Sequence, residues 1–350
     1  MSSASSFISH MSCQAVSYRR SLFAVISLAR LKTRVDSLRT RSLSDNSART
    51  RKSQWVNYEH FCTQHGLKAV PASIDTICLY IAYLDERGLE YSTVLNFVHS
   101  LSTLHHFRNK TAPNLKHYKI RQALTGLQKL RLFAPNRKQP ILPLHLSLIY
   151  ERIALVSKRL RKVFWAACLI SFFTLLRKTN IFYSKRNNNY LRRKDMIVNA
   201  KHVMLSVRQI KTNRYKQMSV DIPVPYMPTS KLCPASALIT CTADQRQPDS
   251  ALLSYRSKSG EIKALTAERF TALLRKILKH TPYEPQKFSC HSFRRGAATF
   301  SSTANISTAC LKAQGQWRSS CYQQYVSRDT DLRLAFGQQM AAALLATLRF

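Results

Sequence analysis

Glycine is scarce in this 350-residue chain, with 7 in all, and so are acids, with 17 Asp+Glu against 55 Lys+Arg. A chain with so few glycines has no glycine-rich loop to cradle a nucleotide phosphate. With so few carboxylates, no paired acidic cluster stands out. That argues against a carboxylate–metal nuclease or transposase. The nine cysteines are an odd number with no Cys-x-x-Cys pair, and read as reduced thiols of an intracellular protein, neither disulfide framework nor zinc site. No apolar run approaches the roughly 20 residues that span a bilayer. Ser21 to Ala29 is too short, and too far from the first residue, to make a convincing signal segment. No membrane partner and no internal repeat are expected.

What the chain has is positive charge, a formal +38. A merely solvated surface mixes both signs, so an excess of this size points to a polyanionic partner, and nucleic acid is the expected one. The cations spread over the whole length, with runs at Lys158–Lys162 and Arg192–Lys194. A ribosomal type of protein is the bland alternative. Against it, 45% hydrophobic content over this length can bury real cores.

Punctuation and periodicity give the organisation. Residues 1–45, rich in Ser and Arg and poor in acid, read as a basic, disordered arm, although the composition also suits a mitochondrial transit peptide. Ser47 is placed to cap a helix to His65, with Trp55, Tyr58 and Cys62 on one stripe and Gly66 as its stop. Pro71-Ala-Ser73 opens a second helix ending at Gly88. Ser92–Phe107 and Tyr118–Phe133 complete a four-helix domain over residues 46–133. The polar, basic, Pro-bracketed stretch 134–142 is the expected linker. Residues 143–350 form a second domain, helical over Leu146–Val156 and Arg161–Leu176. Two alternating strands, His202–Ile210 and Gln217–Pro223, follow and are joined by a turn over residues 211–216. Helices are then expected at Pro234–Thr242, Thr266–His280, His291–Phe300 and Leu332–Phe350. The fold class is therefore mostly α, with a small antiparallel β-sheet in the second domain.

Chemistry concentrates in the last quarter. His291 and Arg294 stand three residues apart on one helix face, within reach of the same anion. Trp317 and Tyr325 follow, supplying a hydrogen-bond donor and a nucleophilic hydroxyl. An attacking hydroxyl, guanidinium groups and a proton shuttle are what phosphodiester cleavage without metal requires. Earlier, Arg177 closes the apolar run Phe172-Phe-Thr-Leu-Leu, a place where a guanidinium has little structural use unless an anion lies beside it. A lone His-x-x-Arg is weak; followed at this distance by Trp and Tyr it becomes specific.

This box resembles that of the tyrosine recombinases, the integrase family. The resemblance implies a SAM-like core-binding domain, a catalytic domain of the DNA breaking-rejoining fold, and site-specific recombination or integration of double-stranded DNA through a 3′-phosphotyrosyl intermediate. It implies no cofactor and no metal. By the same resemblance Arg177, Lys211, His291, Arg294, Trp317 and Tyr325 are the catalytic residues, with Lys211 on the hairpin turn and Trp317 where many members carry His. Arg214 and Lys216 compete with Lys211. Asn180 stands where the family usually has Glu. Tyr322 competes with Tyr325, but the eight-residue spacing from Trp317 picks Tyr325 and resembles the DIRS-type and Crypton-type mobile-element branch. The family's C-terminal helix docks on a neighbouring protomer, implying a homo-tetramer on DNA. A eukaryotic host would imply the nucleus, and any other host a cytoplasmic, DNA-associated protein. A type IB topoisomerase and an inactive DNA-binding derivative stay open.

Overall fold

The computed structural model describes residues 26–131, 138–186, 188–208, 219–244, 247–326 and 338–341. Contacts divide the chain into two compact units, residues 1–135 and 136–350.

The first unit opens with α1 (Leu28–Arg41), capped by the Ser27 side chain. This departs from the disordered arm expected over residues 1–45. Leu28, Leu31, Val35 and Leu38 repeat at helical spacing, and all four remain exposed. Arg39 ties the helix down by donating to the His106 carbonyl at 3.0 Å and to Asn109 Oδ1 at 2.9 Å. α2 (Asp45–Gln64) is capped by Ser44, not Ser47, whose own amide donates to the Ser44 hydroxyl. α3 (Ile74–Glu86), α4 (Tyr91–Phe107) and α5 (Tyr118–Leu130) follow. Gly66 and Gly88 take the left-handed conformation (φ +64° and +73°) that ends α2 and α3. Trp55, Tyr58, Ile77, Tyr80, Val94, Leu101 and Ile120 form the core. Within it His105 is fully satisfied: Nδ1 bonds the Leu101 carbonyl at 2.8 Å and Nε2 accepts from the Ala72 amide at 2.9 Å.

The second unit begins before the expected boundary. Residues 138–142 are packed structure and not linker: Ile141 is buried, its amide donates to the Ser292 carbonyl at 2.9 Å, and the Gln139 amide donates to that of Lys287 at 2.8 Å. α6 (Pro143–Glu151) leads to α7 (Lys158–Phe173), whose residues from Val163 to Phe172 are all buried. A helix apolar all round belongs at the centre of a domain, and the others wrap it. Next come the single turn α8 (Lys178–Ile181) and a sheet of β1 (Met196–Val198), β2 (His202–Val207) and β3 (Val220–Pro225), antiparallel in that order. Val203, Leu205 and Val207 alternate inward, and Leu205 lies opposite Met196 and Ile222. The segment expected to form the turn, with Lys211, Arg214 and Lys216, lies outside the described residues.

α9 (Pro234–Thr242), a short hairpin of β4 (Ser254–Arg256) and β5 (Ile262–Ala264), α10 (Ala267–Leu278), α11 (Cys290–Thr303) and α12 (Thr308–Gly315) complete the unit. Of the expected terminal helix only residues 338–341 are described, and they are helical. Among the described residues no helix is long and apolar enough to cross a membrane.

Candidate active site

The site is built on α11. Ser289 caps this helix in a reciprocal box with Ser292, which fixes the first turn and the direction of His291. Gly296 faces Ile141, and a Cβ there would overlap the Ile141 backbone carbonyl, so glycine lets the chain before α6 lie flat on α11. Arg294 then points inward and is 2% exposed.

Two backbone carbonyls receive the Arg294 guanidinium. Nη1 donates to Leu175, and Nη2 donates to Gly315 at 2.8 Å. Two rings cover it, with the guanidinium carbon 4.2 Å from the centre of Trp317 and 5.2 Å from that of Tyr325. No carboxylate pairs with it among the described residues. Burial, and then the charge of Arg177, push its pKa down to about 10, against a smaller opposing pull from Tyr325. It therefore stays cationic at neutral pH. A buried cation held by carbonyls, π-faces and the Tyr325 hydroxyl, with no carboxylate beside it, is costly to keep, and it is prepared to receive an anion.

Arg177 does not end the apolar helix, as the sequence reading has it. α7 stops at Phe173, Leu175 turns into the left-handed region (φ +49°), and Arg177 becomes the N-terminal cap of α8. Its charge still reaches the site, since it lowers the pKa of both His291 and Arg294. Asn180, one turn on, is buried and accepts from the Leu191 amide through its carbonyl at 2.8 Å.

His291 is exposed on the first turn of α11, with its ring centre 5.1 Å from that of Tyr325. Loss of hydration to its neighbours, and then the charges of Arg294, Arg295, Arg177 and Lys178, hold its imidazole pKa below the ordinary 6.5. A neutral ring at neutral pH can accept a proton. Trp317 is buried, and its ring lies against Gly315, where a Cβ would overlap it. Its indole N–H has no hydrogen-bond partner among the described residues.

The two tyrosines part company here. Ser320–Gln324 is a 3-10 turn with Tyr325 as its C-cap, and the two rings differ in what they pack against. Tyr325 packs on His291, Arg294 and Trp317 (5.2 Å between ring centres). Tyr322 lies farther from Trp317, at 6.3 Å, stacks under Lys312, and lines a hollow of about 460 Å³ with Leu311 and Val326. Of the six predicted site residues, four converge directly; Arg177 is felt through its charge, and Lys211 lies outside the described residues. Sequence reasoning missed the carbonyls of Leu175 and Gly315 that aim Arg294, and the charge that Lys178 places beside His291. Gly315 at its fixed step before Trp317 was a legible signal; the turn at Leu175 was not.

No family model matches the chain. It is 22% identical over 288 residues to an integrase/recombinase xerD homolog of Selenomonas ruminantium, which covers 80% of each chain. Among solved structures, the Tn1549 transposon integrase in complex with transposon right end DNA aligns with a TM-score of 0.59 at 14% identity. That alignment covers 88% of this chain and 98% of the integrase fragment in that structure. A lambda integrase dimer bound to a core site aligns at 0.52 with 14% identity, over 90% and 82%. The fold is that of the tyrosine recombinase catalytic domain. The relative in sequence is an integrase/recombinase homolog, and the structures that share the fold are integrases.

Proposed function

We propose that this chain carries out site-specific recombination of double-stranded DNA, with Tyr325 as nucleophile. The observation that carries the reading is the convergence of Tyr325, His291 and a buried, carboxylate-free Arg294. Tyr325 Oη forms a bond to the scissile phosphorus and the P–O5′ bond breaks, leaving a 3′-phosphotyrosyl link and a free 5′ hydroxyl. His291 takes the tyrosine proton, and Lys211 gives one to the departing 5′ oxygen. Arg177, Arg294 and the Trp317 indole N–H stabilise charge on the non-bridging oxygens. A second 5′ hydroxyl reverses the step on another strand.

The DNA carried by the structural relatives, and the +38 charge here, support a duplex as substrate. In this reading residues 46–133 are the core-binding domain and residues 143–350 the catalytic domain. The C-terminal helix joins protomers into a tetramer. The spacing from Trp317 to Tyr325 favours the DIRS-type or Crypton-type branch and, with a eukaryotic host, the nucleus. The test is a nicked suicide duplex incubated in excess EDTA. The reading expects a covalent protein–DNA adduct, and two duplexes joined when partner ends are offered. Abolition by chelation with rescue by magnesium refutes it. Relaxation of one supercoiled duplex without joining would move the protein to the topoisomerases.

A further inference from the structure

Three segments far apart in sequence meet at the turn that leads into Arg177. After α7 ends at Phe173, Thr174 folds back: its hydroxyl donates to the Ile170 carbonyl at 2.5 Å and accepts from the Leu176 amide at 3.3 Å. Leu175 takes a positive φ, which side chains other than glycine or asparagine seldom adopt. Such a turn persists only when its surroundings hold it. Two side chains from elsewhere do so. Arg294 of α11 donates to the Leu175 carbonyl, and Gln314 of α12 donates from Nε2 to the Phe173 carbonyl at 2.9 Å.

Gln314 is adjacent to Gly315, whose carbonyl takes the other arm of Arg294. The bonds therefore close a ring: Phe173 to Gln314, Gly315 to Arg294, Arg294 to Leu175. One side of the ring carries Arg177, two residues on from Leu175, and the other runs into Trp317 and Tyr325. Arg294 is already committed to the anion by its charge. Gln314 is neutral and half-buried, and its side chain makes a hydrogen bond that crosses between the two sides.

We propose that Gln314 is a positioning residue, which sets the register of Arg177 against Tyr325 without touching the DNA. This rests on the reading of Tyr325 and Arg177 as catalytic. Losing the Nε2–Phe173 bond frees the Leu175 turn to relax, so Arg177 drifts, while the Gly315 carbonyl still holds the Nη2 arm of Arg294. Small misplacements of a group that binds the transition state cost about 10- to 100-fold in rate.

The experiment measures single-turnover adduct formation on a suicide duplex for the native chain, Gln314→Met, Arg177→Lys and the double variant. Duplex affinity and melting temperature are measured alongside. Methionine keeps the length of the side chain and removes the donor. The expected result is a loss of about tenfold or more in adduct rate for Gln314→Met, with affinity and melting temperature held. In the Arg177→Lys background the same change should cost less than about twofold, because its effect passes through Arg177. Gln314→Lys, which restores a donor, should recover part of the rate. An equal loss in both backgrounds overturns the proposal, as does a native-like rate for Gln314→Met or a loss matched by lower melting temperature and weaker binding. Absence of any adduct from the native chain would instead sink the reading of Tyr325, and this inference with it.

Discussion

The two units bury different chemistry. The first packs neutral aromatic and aliphatic side chains, with Tyr58, Ile77, Tyr80 and Val94 fully enclosed, and its buried imidazole, His105, spends both nitrogens on backbone groups. The second encloses an equally apolar helix, α7, but places a guanidinium at the edge of its core with carbonyls and rings for company. An arrangement chosen for stability alone would not keep that cation, because apolar replacements of similar volume often fold as well or better. The difference separates a core that only holds its shape from one that also holds a charge in readiness.

The largest expected break in this comparison is Arg294→Met. Methionine fills much of the volume and removes the desolvated charge. Adduct formation should fall by about 10³-fold, with a modest change in melting temperature, because losing the desolvated charge offsets the two carbonyls left without a donor. A loss of adduct no larger than the loss of folded protein would show that Arg294 is a structural anchor only. No polar residue of the first unit should behave this way.

A smaller effect concerns pH. Lost hydration, and then the neighbouring cations, lower the His291 pKa, so the neutral ring persists into mild acid, and cleavage should fall only as pH drops through a value below 6.5. A folded pKa below the unfolded one means that the unfolded chain binds the proton more readily. The associated loss of stability therefore begins near the ordinary value and is complete below the folded one. Titration of the His291 ring by NMR checks the midpoint, which should move up in Arg294→Met because that charge contributes most after desolvation. An unchanged midpoint would contradict the electrostatic account. His291→Gln should remove the acid limb altogether.

The smallest effects compare two glycines. Gly126 lies within α5 with nothing within 4 Å of a Cβ, so Gly126→Ala should stabilise the first unit by about 0.5–1 kcal/mol. Gly296→Ala meets the Ile141 backbone and should destabilise the second by about 1–3 kcal/mol. Thermal unfolding read separately for each unit decides both signs.

Much of the frame was legible because α2 to α5, α9, α10 and α11 bury stripes at helical spacing, α7 is a continuous apolar run, and Pro234–Thr242 agrees end to end with its expected range. What escaped has physical reasons. β1, β4 and β5 are three residues each, too short for alternation to register. α12 buries only Leu311 and Gly315, so it shows no stripe. α1 has a stripe, yet with its apolar side chains exposed and cations around them it looked like a solvated arm. At the site, spacing chose the residue types, since His-x-x-Arg and Gly-x-Trp obey local geometry. The backbone clasp around Arg294 was invisible, because a carbonyl is present at every residue and nothing about leucine announces a left-handed turn. What surrounds each tyrosine was not legible either, since the packing of Tyr325 on His291 and Arg294 joins segments distant in sequence.

The central claim is that one hydroxyl, on Tyr325, is the attacking group. The measurement that tests it most directly is peptide mapping by mass spectrometry of the adduct trapped on a suicide duplex in EDTA, alongside Tyr325→Phe and Tyr322→Phe. The expected result is a nucleotide remnant on Tyr325, no adduct from Tyr325→Phe despite unchanged DNA affinity, and an adduct retained by Tyr322→Phe. A remnant on Tyr322, or an adduct that survives in Tyr325→Phe, would contradict it.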